Sequence, residues 1–125
     1  AAMPHRITRS ETLTHTEYFG DVHIDELITR VRIGQARSDF TGRRQSIHDF
    51  TAAQSFHADP LAVIELAATD SGAYFTNRLL RIAVVGTLPS VAALVRDYAA
   101  VPLTKFEVRH FAGLDEARRW LGVAD

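Results

Sequence analysis

The chain contains no cysteine, which excludes disulfides, thiolate nucleophiles and cysteine-based metal sites together. No apolar run approaches the roughly 20 residues that a bilayer-spanning helix needs. The opening AAMPHRITRS has no apolar core of the kind a secretory signal requires. An excess of one charge is missing too. A net charge of −1 gives no global attraction to nucleic acid or to an anionic membrane. Lysine is nearly absent: of 14 basic residues only Lys105 is not arginine, a skew read as coding bias. Repeats, low-complexity tracts and linkers are lacking, so one domain is expected over residues 3–125. Ala1 and Ala2, ahead of Met3, are read as a cloning remnant. A reducing cytoplasm suits such a chain.

What is present is ordinary globular material, 46% apolar and 23% charged. A chain of 125 residues buries roughly two-thirds of its unfolded surface. The clearest signal is RIAVVG, residues 81–86. A nearly unbroken apolar run closed by glycine predicts a strand covered on both faces.

Around it the pattern alternates strand and helix. Residues 5–9 and 12–18 read as two strands about Ser10-Glu11, the second threonine-rich and at or near an edge. Gly20-Asp21 breaks it. Ile24, Leu27, Ile28 and Val31 share one helical face, with Gly34 near the end. Residues 35–45 read as an exposed connection carrying Arg37, Arg43 and Arg44 beside Phe40. Residues 46–50 form a third strand. Asp59-Pro60 caps and opens a helix whose expected buried stripe is Leu61, Ile64 and Ala68, flanked by Val63 and Ala67. A third helix follows TLPS with Val91, Leu94, Val95 and Tyr98 inward, and Pro102 stops it. FEVRHF is the last strand, and Leu114, Ala117, Trp120 and Leu121 dock a final helix ended by Gly122. The order ββαβαβαβα predicts an α/β fold: a mostly parallel five-stranded sheet flanked by about four helices.

Chemistry-bearing residues do not form a signature. His48-Asp49 resembles the histidine–aspartate pair of metal-dependent phosphohydrolases, yet on a strand adjacent residues point to opposite faces. His57 and His110 lie near strand ends, but no spacing such as HExxH accompanies the six histidines. No metal site and no cofactor are expected. Ser55 or Thr51 beside these histidines lacks a G-x-S-x-G elbow. The turn after Gly86 leads to a helix start, where backbone N–H groups bind anions, but it is neither GxGxxG nor a Walker loop.

The stretches YFGDVHIDEL (18–27), IHDFTAA (47–53), LLRIAVVG (79–86) and FEVRHFAGLDEARRWLG (106–122) together resemble the STAS fold. The narrower likeness is to the SpoIIAA-like (STAS/SEC14-like) group of small bacterial proteins. In the last stretch, an EARRWL helix close behind the final strand recurs in that group. The resemblance implies a regulatory protein that docks partners, and a homodimer. Anti-sigma-factor antagonists of this fold carry a phosphorylatable serine after the third strand. Here Ala58 and Asp59 occupy the matching pair of positions. Without a hydroxyl no local charge of about −2 can be added, and Asp59 reads as a helix cap.

The leading expectation is therefore a non-enzymatic binding or regulatory domain acting through protein–protein docking. The alternative is a carrier or sensor of a small apolar or lipid-like ligand, motivated by Tyr74, Phe75, Tyr98 and Phe111 and by the SEC14-like label of the group. Open α/β sheets bind ligands beyond the carboxyl ends of their strands, which nominates Thr51, His57, Gly86, Thr87, His110 and Phe111. A hydrolase using His48, His57 and His110 is the minor alternative.

Overall fold

Threonine-rich alternation near the start builds an antiparallel hairpin in the computed structural model, which describes residues 5–123. The readings of Ala1, Ala2 and Met3 lie outside those residues. β1 (His5–Ser10) and β2 (Leu13–Tyr18) turn about Glu11, whose φ of 45° is left-handed. The chain does break at Gly20, as expected, but a third strand starts there. This is β3 (Gly20–His23), followed by α1 (Ile24–Gln35), which buries Ile24, Leu27 and Ile28. The connection to β4 (Gln45–Asp49) is exposed only in part. Phe40 opens a 3-10 turn (Phe40–Gly42) and is buried in the core. Asn77 Nδ2 holds this turn by donating to the carbonyls of Phe40 and Arg43 at 2.8 and 2.7 Å. A single aromatic among arginines is thus an anchor, and the reading of a wholly solvated loop is corrected.

β5 (Ala53–His57) is a second strand that the sequence pattern did not announce, and it pairs in parallel with β3 as a separate two-stranded ribbon. α2 (Pro60–Tyr74) starts as expected, with Asp59 accepting from Ala62 N at 2.9 Å. Its buried stripe is not the expected one. Val63, Leu66, Ala67 and Asp70 face inward, whereas Leu61 is 79% and Ile64 47% exposed. Both sides of this helix are apolar, so composition did not mark which side meets the sheet. β6 (Arg81–Val85), α3 (Pro89–Ala100), β7 (Glu107–Phe111) and α4 (Leu114–Leu121) complete the chain. Gly122, at φ 73°, caps α4 in the left-handed conformation that glycine adopts without strain.

The main sheet runs β1-β2-β4-β6-β7, antiparallel at the hairpin and parallel at the other three pairings. β6 is interior, and Ile82 to Val85 are all buried, as the apolar run required. Its alternation feeds two cores. Ile82 and Val84 join Leu27, Leu66 and Leu94 beneath α1, α2 and α3. Ala83 and Val85 meet Ala117 and Leu121 of α4, with Ile47 and Leu13. Each fully buried valine or isoleucine of this strand contributes on the order of 2 kcal/mol.

Candidate functional site

The three helices leave a gap over the sheet. A cavity of about 100 Å³ lies between the sheet and α1–α3, walled by Leu27, Leu66, Ile82, Val84, Leu94 and Val108. Buried polar groups line it too, Asp70 and His48 among them. Asp70, carried inward on α2, accepts from Tyr98 Oη at 2.7 Å and from Gln35 Nε2 at 2.9 Å. Burial pushes its carboxyl up to about 6, against the lowering effect of those two bonds. His48, on the helix-facing side of β4, shares a 3.0 Å hydrogen bond between its Nδ1 and the Tyr18 hydroxyl. Burial, with His15 adding to it, lowers this imidazole to about 4, so it is neutral at pH 7. The hydroxyls of Tyr18 and Tyr98 are also pushed up, first by burial.

Arginines line the same cavity where the hairpin and the 3-10 turn approach it. Arg9, Arg30, Arg37 and Arg43 belong to its lining. Arg43 Nη1 donates to Leu13 O at 3.0 Å, and Arg43 also bonds Glu11 O. Arg30 Nη1 lies 3.2 Å from His5 Nε2. Yet the Nε atoms of Arg30 and Arg43 are buried with no hydrogen-bond partner among the described residues. Arg9 is held below its ordinary value by partial burial and then by Arg37, with Asp39 opposing. The result is a largely apolar chamber with four arginines among its lining residues.

The residues nominated at the strand ends are brought to one end of the molecule but not into this cavity. His110 Nε2 donates to Gly86 O at 2.8 Å, and Gly86 N donates to Phe111 O at 3.0 Å. Phe111 turns to the other face, against Trp120 at 5.5 Å between ring centroids. Thr51 is tied to Asp49 through its backbone N at 2.9 Å, and Thr87 is exposed. His57 sits on the ribbon and donates to Asp21 Oδ1 at 2.8 Å. The three histidines of the hydrolase reading do not converge. His48 and His110 flank Val84 on parallel neighbours of β6, a separation of about 10 Å at two strand spacings, and His57 lies on the other sheet. His48 and Asp49 do point to opposite faces: Asp49 pairs with His15, whose Nε2 donates to it at 2.9 Å.

Of the aromatics that motivated the ligand reading, Tyr98 alone lines the cavity. Tyr74 packs on Phe106 at 5.5 Å and Phe75 is exposed. Sequence reasoning missed Asp70, although an aspartate following Val63, Leu66 and Ala67 at helical spacing was a visible signal. It also missed Asp21 and His23, which with His57 place one donor atom each within 4.8 Å of one another.

No known sequence family matches the chain, and no curated protein matches it by sequence. Solved structures do. The anti-sigma factor antagonist SpoIIAA in its unphosphorylated form aligns over 95% of this chain and 98% of its own, with a TM-score of 0.59 and 12% identity. A protein of the DUF3478 family with a SpoIIAA-like fold, from Shewanella loihica PV-4, aligns over 96% of this chain and 94% of its own, with a TM-score of 0.53 and 17% identity. Coverage this complete at identity this low speaks of architecture. The protein has the STAS-type, SpoIIAA-like fold that its strand and helix pattern resembles.

Proposed function

We propose that the protein is a non-enzymatic binding domain for a small apolar molecule carrying one anionic group, held in the cavity beneath α1, α2 and α3. The observation that carries this reading is the chamber of about 100 Å³ with Arg30 and Arg43 among its lining residues. A space of this order takes a guest near the size of an aromatic ring or short alkyl chain. The guanidinium charges among the lining residues favour a carboxylate over a neutral head group. This deepens the expectation of a small-ligand carrier and moves it away from the strand ends.

A thermal-shift series with short-chain and aromatic carboxylates, paired with the matching alcohols, tests it. Carboxylates are expected to raise Tm more than alcohols, and Arg30→Gln is expected to erase that difference. Leu94→Phe, which fills the chamber, is expected to abolish both shifts, while His110→Gln leaves them intact. No shift with any compound at millimolar concentration would overturn the reading. A shift lost in His110→Gln but kept in Leu94→Phe would return the site to the strand ends.

A second reading keeps the expected homodimer, and the observation favouring it is the outward stripe of α2. Leu61, Ile64, Ala68, Gly72 and Phe75 are all exposed along one side. In a two-fold antiparallel contact centred on Ala68, Ile64 of one copy faces Gly72 of the other, and Leu61 faces Phe75. Such a surface is self-complementary, and a net charge of −1 opposes it little. Light scattering after size exclusion is expected to give twice the chain mass, and Ile64→Asp to give the single mass; a monomer at 100-fold dilution range above micromolar would remove this reading. Protein docking of the kind implied by an anti-sigma factor antagonist would lack a phosphate switch at the matching positions, since Ala58 and Asp59 supply no hydroxyl.

A further inference from the structure

The ribbon of β3 and β5 is polar on one side for a simple reason. Val22 and Phe56 are buried in the core, so the period of two along each strand turns Asp21, His23, Ser55 and His57 outward together. The parallel register sets His23 opposite His57 and Asp21 opposite Ser55. The two imidazoles stack at 4.9 Å between centroids, tilted by 29°. Asp21 bridges them: its Oδ1 lies 2.8 Å from His57 Nε2 and its Oδ2 lies 3.5 Å from His23 Nε2. Ser55 Oγ donates to the same carboxylate and orients it. These hydrogen bonds hold Asp21 below the usual carboxylate range, Ser55 contributing most and His57 next.

We propose that Asp21, His23 and His57 form a binding site for a late first-row divalent cation, with Zn²⁺ as its natural class. The warrant is donor chemistry and spacing. Two imidazole nitrogens and one carboxylate oxygen are a borderline donor set that suits Zn²⁺ and Ni²⁺, not Mg²⁺ or Ca²⁺, which require oxygen shells. Bond lengths near 2.0–2.1 Å place tetrahedral ligand atoms about 3.3 Å apart. The 2.8 and 3.5 Å separations start from different oxygens of Asp21, and one donor atom from each of the three residues lies within 4.8 Å of the others, so rotations of exposed side chains bring them to that spacing. Ser55 acts as the outer partner that fixes the carboxylate. Three protein ligands leave one position open, and His23 and His57 also border an exposed depression with Asp25, Asp59 and Ser90.

The arrangement has little other physical justification. The three side chains are more than half exposed, so their hydrogen bonds add little to stability. Two histidines directly opposite across a strand pair repel when both are charged, whereas a shared cation converts that proximity into binding.

The test is isothermal titration of the tag-free full chain with ZnCl₂ in chelator-treated buffer. One equivalent is expected to bind at micromolar concentration. His23→Ala, His57→Ala and Asp21→Ala are each expected to weaken binding at least tenfold, while His110→Gln leaves it unchanged. Circular dichroism should show all four variants folded, as their positions lie outside the core clusters. In NMR spectra Zn²⁺ is expected to move the ring resonances of His23 and His57 and not those of His15 or His48. Absence of binding up to millimolar Zn²⁺, full affinity in a His23→Ala/His57→Ala double variant, or a preference for Mg²⁺ would each overturn the assignment.

Discussion

Asp70 shows how one side chain ties stability to pH. Its folded-state value of about 6 lies above the ordinary carboxylate value near 3.9. The stabilisation therefore belongs to the protonated form: it is fully present below about pH 4 and lost as pH rises through 6. His48 acts with the opposite sign. Its value of about 4 is depressed, so its contribution is present above about 6.5 and lost as pH falls through 4. Replacing Asp70 with Asn removes the first effect and leaves one amide oxygen to accept from Tyr98 or Gln35. Urea unfolding of Asp70→Asn is expected to give roughly 2–3 kcal/mol more stability than the parent at pH 7.5, with the gap closing by pH 4. A gap that persists at pH 4 would locate the effect in packing instead. Gly86 gives a second expectation at this scale. It has φ of +156°, and a Cβ there would stand 3.2 Å from the Phe50 Cβ. Gly86→Ala is expected to cost about 2 kcal/mol, read as a lower urea midpoint at unchanged slope.

Among the elements, α2 and the β3–β5 ribbon define what the sequence could and could not convey. The start of α2 was legible because capping is local chemistry: Asp59 bonds Ala62 N three residues on. Asp59→Ala is expected to lower stability by about 1 kcal/mol, and a value below the error of a chemical melt would mean that solvent replaces the cap. The inward side of α2 was not legible. Val63, Leu66 and Ala67 compete with Leu61, Ile64 and Ala68 for the same role, and only the neighbouring helices decide between them. β3 and β5 carried a weak version of the strand signal, since Asp21-Val22-His23 and Ser55-Phe56-His57 are both polar–apolar–polar. Three residues are too few for a period of two to stand out. The pairing that gives those runs meaning joins residues far apart in sequence, so the histidine–aspartate cluster was hidden with it. The cavity was hidden for a related reason: an unfilled space among α1, α2 and α3 is a property of how side chains fail to fill it, and no single position announces it.

At the scale of the molecule the architecture was the most legible part. The five strands of the main sheet and the four helices follow from apolar periodicity, and the interior strand follows from RIAVVG. The likeness to SpoIIAA over nearly the whole of both chains agrees with that layout. The same layout sets the kinetics. Only β1 and β2 of the main sheet are joined by a tight turn, and each parallel neighbour waits for a crossover. Stopped-flow refolding is expected on the order of milliseconds to a second, slower than a helical bundle of similar size. Relaxation within microseconds would contradict it.

The position of β6 between β4 and β7 carries through to biosynthesis. A ribosome extruding this polypeptide delivers the hairpin early, but the middle of the sheet stays open until Phe111 has emerged. Through that interval Ile82 and Val84 have one flank uncovered, so a nascent chain stalled before residue 107 is the form of this protein most in need of a chaperone.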